Sequence, residues 1–162
     1  SKLLELKVLD KLNELGLEHF IYEHPPLRTV EESKALRGEM HGGHTKNLFL
    51  RDKKKKNYLI TVNENQKIDL KFLESELSTG RLSFASPERL LQFLGVKPGA
   101  VSPLALLNDK HNDVSFFIDH NLLSENILNF HPLVNHLTVS IKVTDFKYFL
   151  KSQNKFYNEI YF

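Results

Sequence analysis

The chain contains no cysteine, which excludes a disulfide framework, a thiol nucleophile and every thiolate metal site, and fits a reducing compartment. It also lacks any apolar run near the roughly 20 residues that span a bilayer. Its N-terminus has no basic segment followed by an apolar one, so no membrane contact or secretory leader is expected and a cytoplasmic location is. Charge of one sign is missing as well: 22 Lys and Arg against 20 Asp and Glu leave a formal charge of +2, so any nucleic-acid contact must use local patches. Repeats, long linkers and low-complexity tracts are absent. Apolar residues are plentiful, at 41% of 162 residues, enough to bury one sizeable core in one domain spanning 1–162.

Local patterns divide the chain. Leu4, Val8, Leu12 and Leu15 recur at helical spacing and Gly16 stands where a left-handed cap belongs, predicting a first helix over 2–15. A short strand over 19–24 runs into Pro25-Pro26, and Thr29-Val30-Glu31-Glu32 reads as a capping box for a short helix ended by Gly38. Strands are expected at 46–51 and 58–62, joined by the polar turn Asp52-Lys53-Lys54-Lys55-Lys56-Asn57. Asp69 caps a helix to Leu77; a strand covers 81–85; Ser86-Pro87-Glu88 opens a helix closed by Gly95. Further strands are expected at 114–118 and 137–143, a helix from Thr144-Asp145 to Lys151, and a last strand within 156–162. Helices and strands intermix without regular alternation, which favours a mixed sheet with helices packed on it over a doubly wound parallel sheet.

Chemistry concentrates where His41-Gly42-Gly43-His44-Thr45-Lys46-Asn47 runs into Leu48-Phe49-Leu50. A polar, glycine-bearing loop hands one lysine to the first residues of an apolar strand, a place where a charged group is held beside a pocket. The Gly38 to Gly43 spacing mimics a phosphate-binding loop, but His44 follows where lysine is required and no strand precedes Gly38, so that reading is rejected. The glycines serve instead to bend the loop over a ligand or a neighbouring strand. His41 and His44, or His131 and His136, lack a third ligand at suitable spacing, and no metal or other cofactor is expected. No Gly-x-Ser-x-Gly elbow is present. A hydrolase built from these residues would use water, with a lysine or backbone amides stabilising the oxyanion. Gly95-Val96-Lys97-Pro98-Gly99-Ala100-Val101-Ser102-Pro103 offers such amides in a rigid loop, or is an ordinary turn. His131, before Pro132, is an acid or base, or a group that walls a pocket. Lys53, Lys54, Lys55 and Lys56 are a solvated hairpin tip or a phosphate contact.

Taken together, His24-Pro25-Pro26, Gly42 to Leu50, Gly80-Arg81-Leu82-Ser83-Phe84, Gly95-Val96-x-Pro98-Gly99 and Asn129-Phe130-His131-Pro132 resemble the YbaK/prolyl-tRNA synthetase editing-domain superfamily. Within it, the free-standing alanyl-tRNA(Pro) deacylases of ProXp-ala type are most similar. The resemblance covers about residues 19 to 144 and implies a single α+β domain with a mixed, mostly antiparallel sheet. It implies hydrolysis of the ester that joins a wrongly attached alanine to tRNA(Pro), with the substrate's own 2'-hydroxyl helping to position the water. Lys46 then corresponds to the family's functional lysine, with Asn47 beside it. Gly99, Ala100, Val101, Ser102 and Pro103 match the substrate-holding loop, and His131 the histidine bordering the amino-acid pocket, whose apolar walls include Ile21, Leu27, Val30 and Met40. By the same resemblance the lysines at 53–56 meet tRNA, DNA is no partner, and prolyl-tRNA synthetase is a transient one. The rival readings are a deacylase for Cys-tRNA(Pro) or for serine or glycine esters, and a non-catalytic tRNA-binding module of the same fold.

Overall fold

A computed structural model describes residues 2–26 and 42–162. The expected short helix after Thr29 therefore lies outside the described residues, as do Leu27, Val30, Met40 and His41.

Local signals account for the helices. Helix α1 (Lys2–Glu14) buries Val8 and Leu12 and ends with Gly16 at φ 71°, where the Leu17 N–H donates to Leu12 O. Helix α2 (Leu70–Leu77) is capped by Asp69, which accepts from the N–H groups of Lys71 and Phe72. Ser86 caps α3 (Pro87–Leu94) with proline in its first turn, and Gly95 closes it at φ 68°. Helix α4 (Val143–Ser152) starts one residue earlier than Thr144 and without a side-chain cap, because Val143 is drawn into the core.

One sheet collects the eight strands of the described residues: β1 (His19–Glu23), β2 (Gly43–Arg51), β3 (Asn57–Asn63), β4 (Ser83–Phe84), β5 (Val114–Asp119), β6 (Ile127–Phe130), β7 (Leu137–Lys142) and β8 (Asn158–Ile160). Its order is β1-β7-β6-β2-β3-β5-β8, with β4 alongside β2. Four pairings are antiparallel (β1/β7, β6/β7, β2/β3, β2/β4) and three parallel (β2/β6, β3/β5, β5/β8). The fold is thus α+β with a mixed sheet, as the interleaved elements suggested. Alternate residues of β2 and β3 point to opposite faces. Phe49 and Leu59 join a large core with α1, α3 and α4, whereas Leu50, Ile60 and Val62 pack with Leu73 of α2.

Three sequence expectations are corrected. The strand expected over 81–85 shrinks to β4, because only Leu50 and Arg51 pair with it. Residues 103–108 and 120–124 form 3-10 helices that the patterns did not indicate. Strand β2 begins at Gly43 rather than Lys46, since Gly43 and His44 pair with a strand, β6, that the sequence patterns do not indicate.

Candidate active site

The missed strand creates the site. Strand β2 is shared between two ladders: Gly43 and His44 pair in parallel with Leu128 and Asn129 of β6, and from Thr45 to Arg51 β2 pairs with β3. Beyond His44 the strands β2 and β6 part and leave a fork. Lys46 lies two residues past His44 on β2 and His131 two residues past Asn129, just beyond the end of β6, so the two stand on separate arms of the fork. Gly42, at φ 99°, makes the close approach possible, because a Cβ there would lie 2.7 Å from the Ile127 carbonyl oxygen. The glycine-rich turn thus serves the neighbouring strand. Buried Asn129 ties the fork shut at its base, donating from Nδ2 to Gly43 O at 3.3 Å and accepting from Ser140 Oγ. Thr45 Oγ1 donates to Asn129 O at 2.8 Å.

Inside the fork lies a polar niche of about 30 Å³ lined by His44, Thr45, Asn47, Glu64, Asn129, Phe130, His131 and Thr138. It has room for a water-sized group. The His131 ring is turned so that Nδ1 sits 2.8 Å from Leu137 O. A carbonyl only accepts, so Nδ1 carries the proton and Nε2 keeps a lone pair. Burial pushes the His131 pKa below the ordinary histidine value and nearby His24 adds to this, against the opposing bond to Leu137. The ring is therefore neutral at neutral pH. His24 stands edge-on to it with centroids 6.0 Å apart. Its Nδ1–H donates to Pro25 O at 2.9 Å, and Nε2 accepts from Thr138 Oγ1 at 2.8 Å in the neutral ring.

Half-buried Lys46 sits opposite Val62 in the β2/β3 ladder and has no hydrogen-bond or ion-pair partner among the described residues. Strand alternation sends Asn47 the other way, into the niche, where its Oδ1 accepts from Thr61 Oγ1 at 2.5 Å. Gly99 is exposed at φ 89°, and a Cβ there would stand 3.4 Å from Nδ2 of Asn135, in the turn that follows His131. The loop after it is not uniform. Ala100, Ser102 and Pro103 are buried, Ala100 N–H donates to Lys97 O, and Ser102 Oγ caps the next helical turn at Leu104 N. The backbone N–H groups of Gly99, Val101 and Ser102 make no hydrogen bond to a described residue. Ile21 projects from edge strand β1 opposite Val139, across β7 from the strand that leads to His131.

The lysines at 53–56 are exposed at the opposite end of β2, roughly 20 Å from Lys46 at 3.3 Å per strand residue. Beside them a groove of about 330 Å³ is lined by Arg51, Asp52, Lys53, Lys55, Arg81 and Ser83. Arg81 and Asn129 stand inside sequence motifs that gave them no role, Arg51 closes the strand expected at 46–51, and Glu64 and Thr138 belong to no motif. Glu64 carries no local signal, since it follows a strand by one residue and reaches the niche only through tertiary pairing.

The model of the aminoacyl-tRNA editing domain family matches residues 24–149, a span that holds the fork, the Gly99 loop and the basic hairpin. The chain belongs to that family. Among relatives of this editing domain, the prolyl-tRNA editing protein ProX of Acetoanaerobium sticklandii is 37% identical over 154 residues, covering 94% of both chains. The prolyl-tRNA synthetase associated domain-containing protein 1 of Mus musculus is 36% identical, covering 92% of this chain and 90% of its own. A crystal structure of a proposed trans-editing enzyme for prolyl tRNA synthetase superposes with TM-score 0.70 over 96% of this chain and 95% of that one; at 21% identity, it supports the fold alone. Editing of an aminoacyl-tRNA is hydrolysis of its ester, so the editing domain is an aminoacyl-tRNA deacylase. Among its described residues no helix is long and apolar enough to cross a membrane.

Proposed function

We propose that this editing domain acts in trans to clear alanine wrongly attached to tRNA(Pro), in the cytoplasm and in transient association with prolyl-tRNA synthetase. The observation that supports the reading is the fork, with Lys46 on one arm and neutral His131 on the other, while Gly99 stands against Asn135 in the turn that follows His131. Similarity to ProX and to the synthetase-associated relatives supports the tRNA, and the resemblance to ProXp-ala deacylases supports alanine.

Water is the nucleophile. Its oxygen bonds to the ester carbonyl carbon, guided by the substrate's 2'-hydroxyl; the bond from that carbon to the ribose 3'-oxygen breaks, and the proton passes to the leaving oxygen. Charge on the tetrahedral oxyanion is met by the N–H groups at Gly99, Val101 and Ser102 and by the Lys46 ammonium. Asn47 offers its amide to the substrate. Ile21, Leu27, Val30 and Met40 supply apolar wall, whereas the side chains of Ala100 and Pro103 hold the loop from behind. His131 has no proton on Nε2 to give, so it borders the pocket and accepts. Lys53, Lys54, Lys55 and Lys56, joined by Arg51 and Arg81, hold phosphates of the tRNA.

The test is tRNA(Pro) charged in turn with Ala, Cys, Ser, Gly and Pro. Alanine release is expected to be fastest and prolyl ester to survive, since a clash excludes a larger ring while each missing methylene is worth only ~1–3 kcal/mol. Alanine release at the background rate overturns the reading; faster release of cysteine reassigns the substrate, and binding without hydrolysis of any ester makes the protein a tRNA-binding module.

A further inference from the structure

The niche has one feature that the proposed mechanism does not use. Glu64 is 7% exposed and is the one carboxylate among the niche's described lining residues. Its backbone is pinned at the fork: Asn63 ends the β2/β3 ladder opposite Thr45, and Glu64 N–H donates to His44 O at 2.9 Å. Immediately beyond, Asn63 Oδ1 accepts from Asn65 N–H and Asn63 O from Gln66 N–H, both at 2.9 Å, so the chain turns tightly and the Glu64 backbone is held at the fork.

The lining suits a particular chemical group. Glu64 presents acceptor oxygens, and neutral His131 presents the Nε2 lone pair because its proton is committed to Leu137 O. A methyl group placed there would offer these acceptor atoms no hydrogen bond. An ammonium group has only donors, is about the size of the water-sized space, and carries the charge that offsets burial of a carboxylate. The aminoacyl ester has one such group, next to the carbonyl that water attacks. Glu64 already has a polar or electrostatic contact in the empty protein, so the ammonium joins or exchanges with an existing partner.

We propose that Glu64, with His131 lining the same niche, binds the α-ammonium group of the aminoacyl ester and so sets which face of the carbonyl meets the water. The inference rests on the deacylase reading and assigns a substrate-binding residue to that site. It makes the enzyme specific for aminoacyl esters with a free amine, as against N-acylated ones.

The test crosses the residue with the substrate. Wild type, Glu64→Gln and Glu64→Ala are assayed on alanyl-tRNA and on N-acetylalanyl-tRNA, in which the amine is an uncharged amide, with circular dichroism and thermal melting checking that each variant folds. Glu64→Gln is expected to lose about 10- to 100-fold in kcat/KM on alanyl-tRNA, the span of one charged hydrogen bond, and to stay within about threefold of wild type on the acetylated ester. Equal loss on both substrates overturns the proposal and makes Glu64 a base or orienter for the water. No loss on alanyl-tRNA also overturns it. Should Glu64→Ala fail to fold, the isosteric Gln variant decides alone. Absence of activity in the wild type would instead sink the deacylase reading, so the two failures are told apart.

Discussion

The two ends of strand β2 use polar residues in opposite ways. At its start, where β2 parts from β6, polar groups are buried or half-buried and each is aimed: Asn129 at Gly43 and Ser140, Thr45 at Asn129, His131 at Leu137. At its far end the hairpin spreads four lysines into solvent around one organised carboxylate. Asp52 there accepts from the N–H groups of Lys54 and Lys56 through Oδ1 and from Tyr58 O–H through Oδ2 at 3.0 Å. Burial would raise the Asp52 pKa, but its hydrogen bonds from Lys56, Tyr58 and Lys54 outweigh that and hold it below the ordinary value. Tyr58 is pushed up to about 12 by burial and by Asp52. The contrast separates chemistry, which demands fixed geometry, from charge, which acts across solvent and tolerates motion. An error at the fork should therefore change turnover, whereas an error at the hairpin should change tRNA affinity or stability.

The largest expected effect belongs to Lys46→Ala. Loss of a charged group facing the oxyanion is expected to cut the single-turnover rate by ~100-fold or more, with thermal stability close to wild type because the ammonium has no partner among the described residues. Gly42→Ala comes next: its Cβ would meet the Ile127 carbonyl at 2.7 Å with φ at 99°, so denaturant melts should show a loss of about 2–3 kcal/mol. Activity should fall with it, since the same contact sets how β2 and β6 meet at the base of the fork. A wild-type melt and wild-type rate for that variant would remove the fork from the account.

Asp52→Ala breaks the other end. It leaves the buried Tyr58 hydroxyl unpaired and should cost about 1–3 kcal/mol, with the single-turnover rate unchanged in the variant that remains folded. Because Asp52's folded pKa lies below its unfolded value, its contribution is fully present above an unfolded pKa near 3.9 and is lost as pH falls through the folded value. The stability gap between wild type and Asp52→Asn should accordingly close in acid below about pH 4. His131 obeys the same sign for a depressed histidine: its contribution is present above an unfolded pKa near 6.5 and is lost as pH falls from there. Removing the hairpin's charges has the smallest effect on the fold. Glutamine at 53, 54 and 56 with asparagine at 55, where φ is 65°, should leave stability within ~0.5 kcal/mol, raise KM for tRNA and flatten its salt dependence.

What could be read from the sequence follows from how far each signal reaches along the chain. Helices α1, α2 and α3 were legible because Gly16, Asp69, Ser86 and Gly95 act on residues within one turn of themselves. Strand β6 was not, because Ile127 to Phe130 places Asn129 in the middle of four residues, and that asparagine finds partners such as Gly43 and Ser140 across the sheet rather than along the chain. The start of β2 was hidden for the same reason, since Gly43 is a poor strand former until β6 pairs with it. Lys46, Gly99 and His131 stood out in motifs, but the fork that relates Lys46 to His131 is a matter of strand register, and Glu64 had no motif at all. The apolar wall at Leu27, Val30 and Met40 lies outside the described residues and rests on the resemblance.

The division between the two ends of β2 is tested most directly by single-turnover release of alanine from Ala-tRNA(Pro) at saturating enzyme, where binding no longer limits the rate. Lys46→Ala should be slower than wild type by ~100-fold, while the variant lacking the lysines at 53–56 should match wild type. Equal rates for Lys46→Ala and wild type, or a hairpin variant that stays slow at saturation, would contradict the account.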